Sequence, residues 1–304
     1  MPPSRRRHLD ELGPGDVAVC GVPLDVNSSH RRGAAGAPGA VRRALWSDRT
    51  NRCTEWGLDL EADERFVDLG DLAPPEGGWH PDSVASAFAA LVATGARPLV
   101  VGGDHSITWP VLAGRARARP DERPVLVGVD AHPDLYESLD GNPWSHASPM
   151  ARIAENGLAS AIVTVGVRTT TDHQRRQARR HGVRLVPAAA FDARRVPIPP
   201  GPVWLTVDLD GLDPAHAPGV AHPEPGGLTV RQVLDLVDRI GDRLVGADIV
   251  ECNPGLDVRG LTAAVAAELL VDVAGRLLVG AAGTEPPGRA GDTDAPHPAG
   301  EPTA

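Results

Sequence analysis

The chain has 304 residues, 41% hydrophobic and 23% charged, with a formal net charge of −10. That length and balance suit a globular protein with a sizeable core. The acidic surplus, with no basic block, excludes nucleic acid as the expected partner, and a chain whose 30 basic residues are all arginine has no lysine for a Schiff base.

Cys20, Cys53 and Cys252 are scattered without a CxxC pair. The spacing supports neither a structural zinc site nor a disulfide framework and fits a reducing compartment. The opening MPPSRRRHLDELGPGD has arginines but no apolar segment behind them, so it does not read as a secretory signal. No apolar run is long enough to span a bilayer. The expected location is the cytoplasm, with no membrane partner.

Residues 1–15 read as a loose lead. VAVCGVP (Val17–Pro23) is the first apolar run ending in a turn signal and predicts a buried strand. A Gly/Ser-rich stretch follows and becomes helical near Pro38, with proline at an early helical position. RFVDLGDL is the second strand, and DSVASAFAALVATGA a helix capped by Asp82 or Ser83. RPLVVGG, RPVLVGVDAH, SAIVTVGVR, GVRLVPA and PVWLTVDLDGLD then alternate with helical segments, RLVGADIVECNP is the last strand, and RQVLDLVDRIGDR and LTAAVAAELLVDVAGRLL are the clearest late helices. Val/Ile/Leu runs alternating with helices predict a single α/β domain over residues 16–282, a parallel sheet with helices on both faces. Residues 283–304 have no apolar periodicity and predict a disordered tail.

Three of these strands end in acid and histidine: GGDHS (Gly102–Ser106), DAHPD (Asp130–Asp134) and VDLDGLDP (Val207–Pro214). Sites in parallel sheets form beyond the carboxyl ends of the strands. Alternation along an extended chain predicts that Asp130, His132 and Asp134 share one face, as do Asp208 and Asp210. His105 joins them from a turn whose glycines allow close approach. A lone Asp at a strand end is ordinarily a cap, and a lone His a structural residue. Three clusters at three strand ends are harder to assign that way. Crowded, desolvated carboxylates need a positive partner, and two imidazoles with four carboxylates and no thiolate suit a hard or borderline divalent pair. Such ions, about 3.5–4 Å apart, share bridging carboxylates and activate a water at neutral pH. Asp213 reads as a turn-forming or supporting residue, with direct ligation as the alternative.

GGDHS, DAHPD, LTVDLDGLDPAHAPG and VECNP resemble, in order and spacing, the motifs of the ureohydrolases, the family of arginases and agmatinases. GVPLD, GAAGAPGAVRRAL, VDLGDL and GVR (Gly166–Arg168) extend the resemblance to about residues 17–280. It implies a three-layer α/β/α fold and two Mn²⁺ ions, with Ni²⁺ or Co²⁺ compatible with the same ligands. One ion matches His105, Asp130, Asp134 and Asp208; the other matches Asp130, His132, Asp208 and Asp210, with Asp130 and Asp208 bridging. It further implies that His146 shuttles protons, that Glu251 grips the guanidinium, and that Asp134 helps the amine leave. A carboxylate offering two oxygens side by side suits a planar cation. SHASPM stands where many relatives read SHGTPF, and Cys252 where they commonly carry Val. The APGVAHPEPGGLT stretch is closer to plant-type arginases than to animal ones. A homo-oligomer, trimer or hexamer, is expected by analogy.

The expected partner is a small guanidino substrate, with specificity in the loops Leu24–Gly36 and Leu135–Ser145. Glu137 and Asp140 favour a cationic far end and therefore agmatine, hydrolysed to putrescine and urea; as solvated loop residues they would carry no such preference. Asn142 keeps arginine in play, His30, Arg31 and Arg32 are a counter-signal for a carboxylate, and Trp144 either walls the pocket or packs. A single-metal, deacetylase-like amidohydrolase is the alternative from another class, opposed by the intact second ligand set. An inactive regulatory homologue is opposed by the presence of every expected ligand.

Overall fold

The protein is described from a computed structural model over residues 5–73 and 78–282. Eight strands form one sheet: β1 (Val17–Val22), β2 (Phe66–Asp71), β3 (Arg97–Gly102), β4 (Val125–Val129), β5 (Ala161–Val167), β6 (Arg184–Pro187), β7 (Val203–Asp208) and β8 (Leu244–Val250). Their spatial order is β2-β1-β3-β8-β7-β4-β5-β6, and every pairing is parallel. Between them run α1 (Ala37–Leu45), α2 (Pro81–Ala93), α3 (Thr108–Ala118), α4 (Pro149–Glu155), α5 (Asp172–His181) and α6 (Val230–Ile240), and α7 (Leu261–Ala282) closes the described chain.

The apolar runs become strands because both faces of the sheet are covered. Val17 and Val19 of β1, with Val125, Val127 and Val129 of β4, pack into the core under α1, α6 and α7. The intervening Ala18, Cys20, Val22 and Leu126 enter the opposite core with Phe88 of α2 and Leu112 of α3. Each large side chain so buried contributes about 1.5–3 kcal/mol, so a one-residue slip would exchange two fitted cores. Thr229 and Gln232 form a capping box that starts α6, whose Val233, Leu236, Val237 and Ile240 then face inward. Among the described residues, no helix is long and apolar enough to cross a membrane.

Part of the N-terminal lead is tied down rather than loose. Arg6 bridges to Asp68, the Arg7 N–H donates to the Asp68 carbonyl, and Arg5 donates to the Asp63 carbonyl at 2.5 Å. The open edge of β2 offers unpaired backbone groups, and residues 5–7 satisfy some of them. The tail expected over 283–304 lies outside the described residues.

Candidate metal centre

The strand order sets β3, β8, β7 and β4 side by side at the middle of the sheet. Their carboxyl ends deliver His105, Glu251, Asp208 and Asp130 to one place. Close approach at the β3 end depends on Gly103: a Cβ there would lie 1.7 Å from the Leu24 carbonyl oxygen. The Gly103 N–H donates to the Val22 carbonyl and the Glu251 N–H to the Gly103 carbonyl, at 2.9 and 2.8 Å. This turn thus stitches the ends of β1, β3 and β8 together.

Strand alternation is not what gathers the carboxylates. β4 ends at Val129 and β7 at Asp208, so the remaining ligand candidates sit in turns. The Asp130 carboxylate accepts the His132 N–H at 2.6 Å, and that of Asp208 accepts the Asp210 N–H at 2.8 Å, which folds the chain back after each strand. Asp134 and Glu251 have φ of 49° and 65°, a left-handed conformation that costs an ordinary residue energy and is held here by the surrounding structure.

Two groups of ligand-type atoms converge, each within 4.8 Å: His105, Asp130, Asp134 and Asp208, and then Asp130, His132 and Asp210. Asp130 belongs to both. Asp208, expected to bridge, stands with the first group alone. His105 Nδ1 lies 2.9 Å from Asp134 and 3.3 Å from both Asp130 and Asp208. His132 Nδ1 lies 3.0 Å from Asp210 and 3.5 Å from Asp130. Both imidazoles therefore turn the same ring nitrogen inward.

The tautomer of His105 is set from behind. Its Nε2 is 3.0 Å from the Thr206 hydroxyl, which donates in turn to the fully buried Asp248, also a partner of Thr108 and Trp204. With Nε2–H donating to Thr206, Nδ1 presents a lone pair, the form a metal ligand requires. His105 Nδ1 and Asp130 Oδ2 are buried without a hydrogen-bond partner, as expected of atoms that serve a cation. Burial and the neighbouring Asp210 and Asp130 push Asp208 well above the carboxylate range, and burial and Asp130 push Asp210 to about 6. Four carboxylates cannot all be charged here without compensation, and divalent ions supply it. The donor set fits such ions.

His146 and Glu251 border this cluster. His146 Nδ1 lies 3.0 Å from Glu251 Oε1, which also accepts the His105 N–H at 2.9 Å. One Glu251 oxygen is thereby anchored, so the expected grip with two equally open oxygens becomes an anchored oxygen beside a second one. Burial disfavours a charged His146, but Glu251 outweighs it and raises the ring to about 9. His146 Nε2 meets the Ser29 hydroxyl at 2.9 Å. His222 sits among His30, His132 and His146 with ring centroids 5.6, 6.1 and 5.2 Å away, and Glu224 lies 3.7 Å from His132 Nε2.

Sequence reasoning assigned no role to Ser29, Thr206, His222, Glu224 or Asp248. The one legible signal was Asp248, a charge inside the apolar run RLVGADIV.

The expected specificity residues separate. Glu137 pairs with His173 at 3.0 Å and Arg180 at 3.6 Å, both on α5, while Asp140 is an exposed turn residue with φ of 51°. Neither is placed with the ligand cluster. Asn142 donates to the Asn27 side chain at 3.1 Å, joining the two loops. Trp144 stacks on Trp109 with centroids 4.8 Å apart, so it packs. Asp213 accepts the N–H groups of Ala215, Gly226 and Gly227 as a turn former. Arg168 donates to the carbonyls of Gly166, Asp210, Gly211, Leu212 and Glu224, pinning the turn that carries Asp210.

Comparison with known proteins agrees with this geometry. Arginase 1, mitochondrial, of Arabidopsis thaliana is 40% identical over 278 residues, covering 86% of this chain and 81% of its own. The arginase of Medicago truncatula superposes with a TM-score of 0.78 at 35% identity, covering 86% of this chain and 87% of its own. The agmatine ureohydrolase of Thermoplasma volcanium gives 0.78 at 32% identity, with coverages of 91% and 94%. The model of the arginase family matches residues 15–275. With the family model matched over residues 15–275 and relatives similar in sequence and fold over most of the chain, this protein belongs to the arginase family, whose members are metal-dependent hydrolases of guanidino carbon–nitrogen bonds.

Proposed function

We propose that the protein binds two Mn²⁺ ions and hydrolyses the guanidino group of L-arginine, releasing urea and ornithine. The observation that carries the reading is the buried pair without a hydrogen-bond partner, His105 Nδ1 and Asp130 Oδ2, at the centre of converging carboxylates and beside Glu251. His105, Asp130, Asp134 and Asp208 hold one ion, and Asp130, His132 and Asp210 the other. Bound divalent ions supply charge compensation and a water acidified toward neutrality. Glu251 binds the guanidinium through its unanchored oxygen, and His146 holds a proton beside it.

Agmatine, favoured from sequence by Glu137 and Asp140, is the second substrate. Its support weakens because Glu137 is engaged by His173 and Arg180. The loops beside the site instead offer Asn142 and His222, neutral groups suited to an amino-acid head, with Arg31 and Arg32 exposed on the adjoining loop. A homo-oligomeric state is proposed on family grounds and is checked by light scattering.

Urea release by Mn²⁺-loaded protein, offered arginine, agmatine, guanidinobutyrate and guanidine in parallel, tests the reading. Preference for arginine is expected. Preference for agmatine would restore the cationic-tail reading, and silence on all four with Mn²⁺ and Ni²⁺ would reject ureohydrolysis.

A further inference from the structure

We propose that Ser29 is the solvent-side station of a proton path that runs through His146, and that it also holds that ring in its working orientation. The inference rests on the ureohydrolase reading of the site and adds a residue to it.

The His146 ring is held from both sides. Its inner nitrogen, Nδ1, meets Glu251 Oε1 at 3.0 Å, and Glu251 Oε1 is itself fixed by the His105 N–H at 2.9 Å. The outer nitrogen, Nε2, meets Ser29 Oγ at 2.9 Å. His146 is buried while Ser29 is exposed, so the pair spans the distance from the site to solvent.

Ser29 is not a chance neighbour on a wandering loop. The buried Asp104 accepts the Asn27 N–H at 3.0 Å and the Ser28 hydroxyl at 3.4 Å. The Asn27 amide donates to Ser106 at 3.0 Å and receives Asn142 at 3.1 Å, while the His146 N–H donates to the Asn27 carbonyl at 3.2 Å. The segment carrying Ser29 and the segment carrying His146 are therefore one hydrogen-bonded unit. It is anchored to the GGDHS turn.

A hydroxyl is the group this place requires. When the ring is neutral with Nδ1–H toward Glu251, Nε2 accepts the serine O–H; when it is charged, Nε2–H donates to the serine oxygen. Only a side chain that both donates and accepts serves both states. Hydrolysis of a guanidinium by water gives urea and an ammonium with no net proton gained or lost. The proton released as the attacking water ionises equals the one the departing nitrogen collects. Between those events the Nε2–H tautomer of His146 takes it at Nδ1 and passes its Nε2 proton to Ser29 Oγ, whose own proton moves to solvent water, which leaves the ring as the Nδ1–H tautomer. The return uses the same three atoms in reverse.

The test compares S29A and S29T with wild type, all loaded with Mn²⁺. S29A should lower kcat about tenfold, part of the usual yield of general acid–base catalysis, and leave KM within about twofold and metal content unchanged. Added imidazole buffer should restore much of the S29A rate, and S29T should stay near wild type. Independently of turnover, carbethoxylation of His146 by diethyl pyrocarbonate, read by mass spectrometry, should speed several-fold in S29A and not in S29T. An S29A kcat equal to an active wild type would overturn the relay, as would a loss that neither threonine nor buffer relieves. Equal labelling of His146 in wild type and S29A would overturn it even if no guanidino substrate is turned over, the result that rejects the proposed function itself.

Discussion

Asp130 is the residue on which the site turns: it belongs to both ligand groups, and one of its oxygens is buried without a hydrogen-bond partner. D130N keeps the shape and removes the charge. It should lower bound metal from two ions to one or none and cut activity at least about a hundredfold, within the range that loss of an electrostatic group costs; metal analysis and urea release check both. Glu251 differs, because it borders the ligand groups, bonded to His146 and to the His105 N–H, without belonging to either. E251Q should retain both ions yet raise KM and lower kcat, since the guanidinium loses its charged partner and His146 loses the carboxylate that holds its proton. At this scale the sequence was most legible. All six ligand candidates named from spacing lie in the two groups. The specificity residues were not legible, because whether Glu137 faces a substrate or α5 depends on a helix more than thirty positions away in the chain.

At the scale of elements, short turns after the strands do the positioning. A β-carbon on Gly103 would overlap the Leu24 carbonyl, so G103A should destabilise the protein by about 3 kcal/mol or more and lower its metal content. Chemical denaturation and metal analysis would show the two effects together. The capping box at Thr229 has no part in the site. T229A should cost about 1 kcal/mol and leave substrate turnover unchanged. All eight strands and the main helices could be read from apolar runs because a sheet covered on both faces needs such runs and little else. The strict alternation expected across Asp130–Asp134 failed because the strand stops at Val129, where the Asp130 side chain takes over the turn.

At the scale of the whole molecule, buried carboxylates oppose folding in the ligand cluster and also on α7. In the metal centre, saturation with Mn²⁺ at a hundredfold excess over Kd should add about 2.7 kcal/mol of stability. A chelator should reverse the corresponding rise of several degrees in Tm. Asp272 on α7 is the second place: burial first, then Glu268 and Glu55, raise its carboxyl to about 6, and its Oδ2 has no hydrogen-bond partner. A folded-state pKa above the unfolded one, about 3.9, means the folded protein binds more protons in that window. Stability therefore falls as pH rises from about 4 through 6. D272N should gain about 1–2 kcal/mol near pH 8, an amount discounted for solvent screening, and the gain should vanish below about pH 4. Melting across that pH range decides it.

The sequence by itself determined the fold class, the strands and the six ligand candidates. Apolar periodicity and the company of Asp and His at strand ends are local properties of the chain. Only the tertiary structure decided which residues stand behind and beside them. Thr206 and Asp248 orient His105 from adjacent strands, Ser29 reaches His146 from a loop 117 positions earlier, and Glu137 is drawn to α5. Those partnerships follow from the strand order, which sets β3, β8, β7 and β4 side by side. No spacing along one chain encodes which distant hydrogen-bonding group will arrive at a given atom.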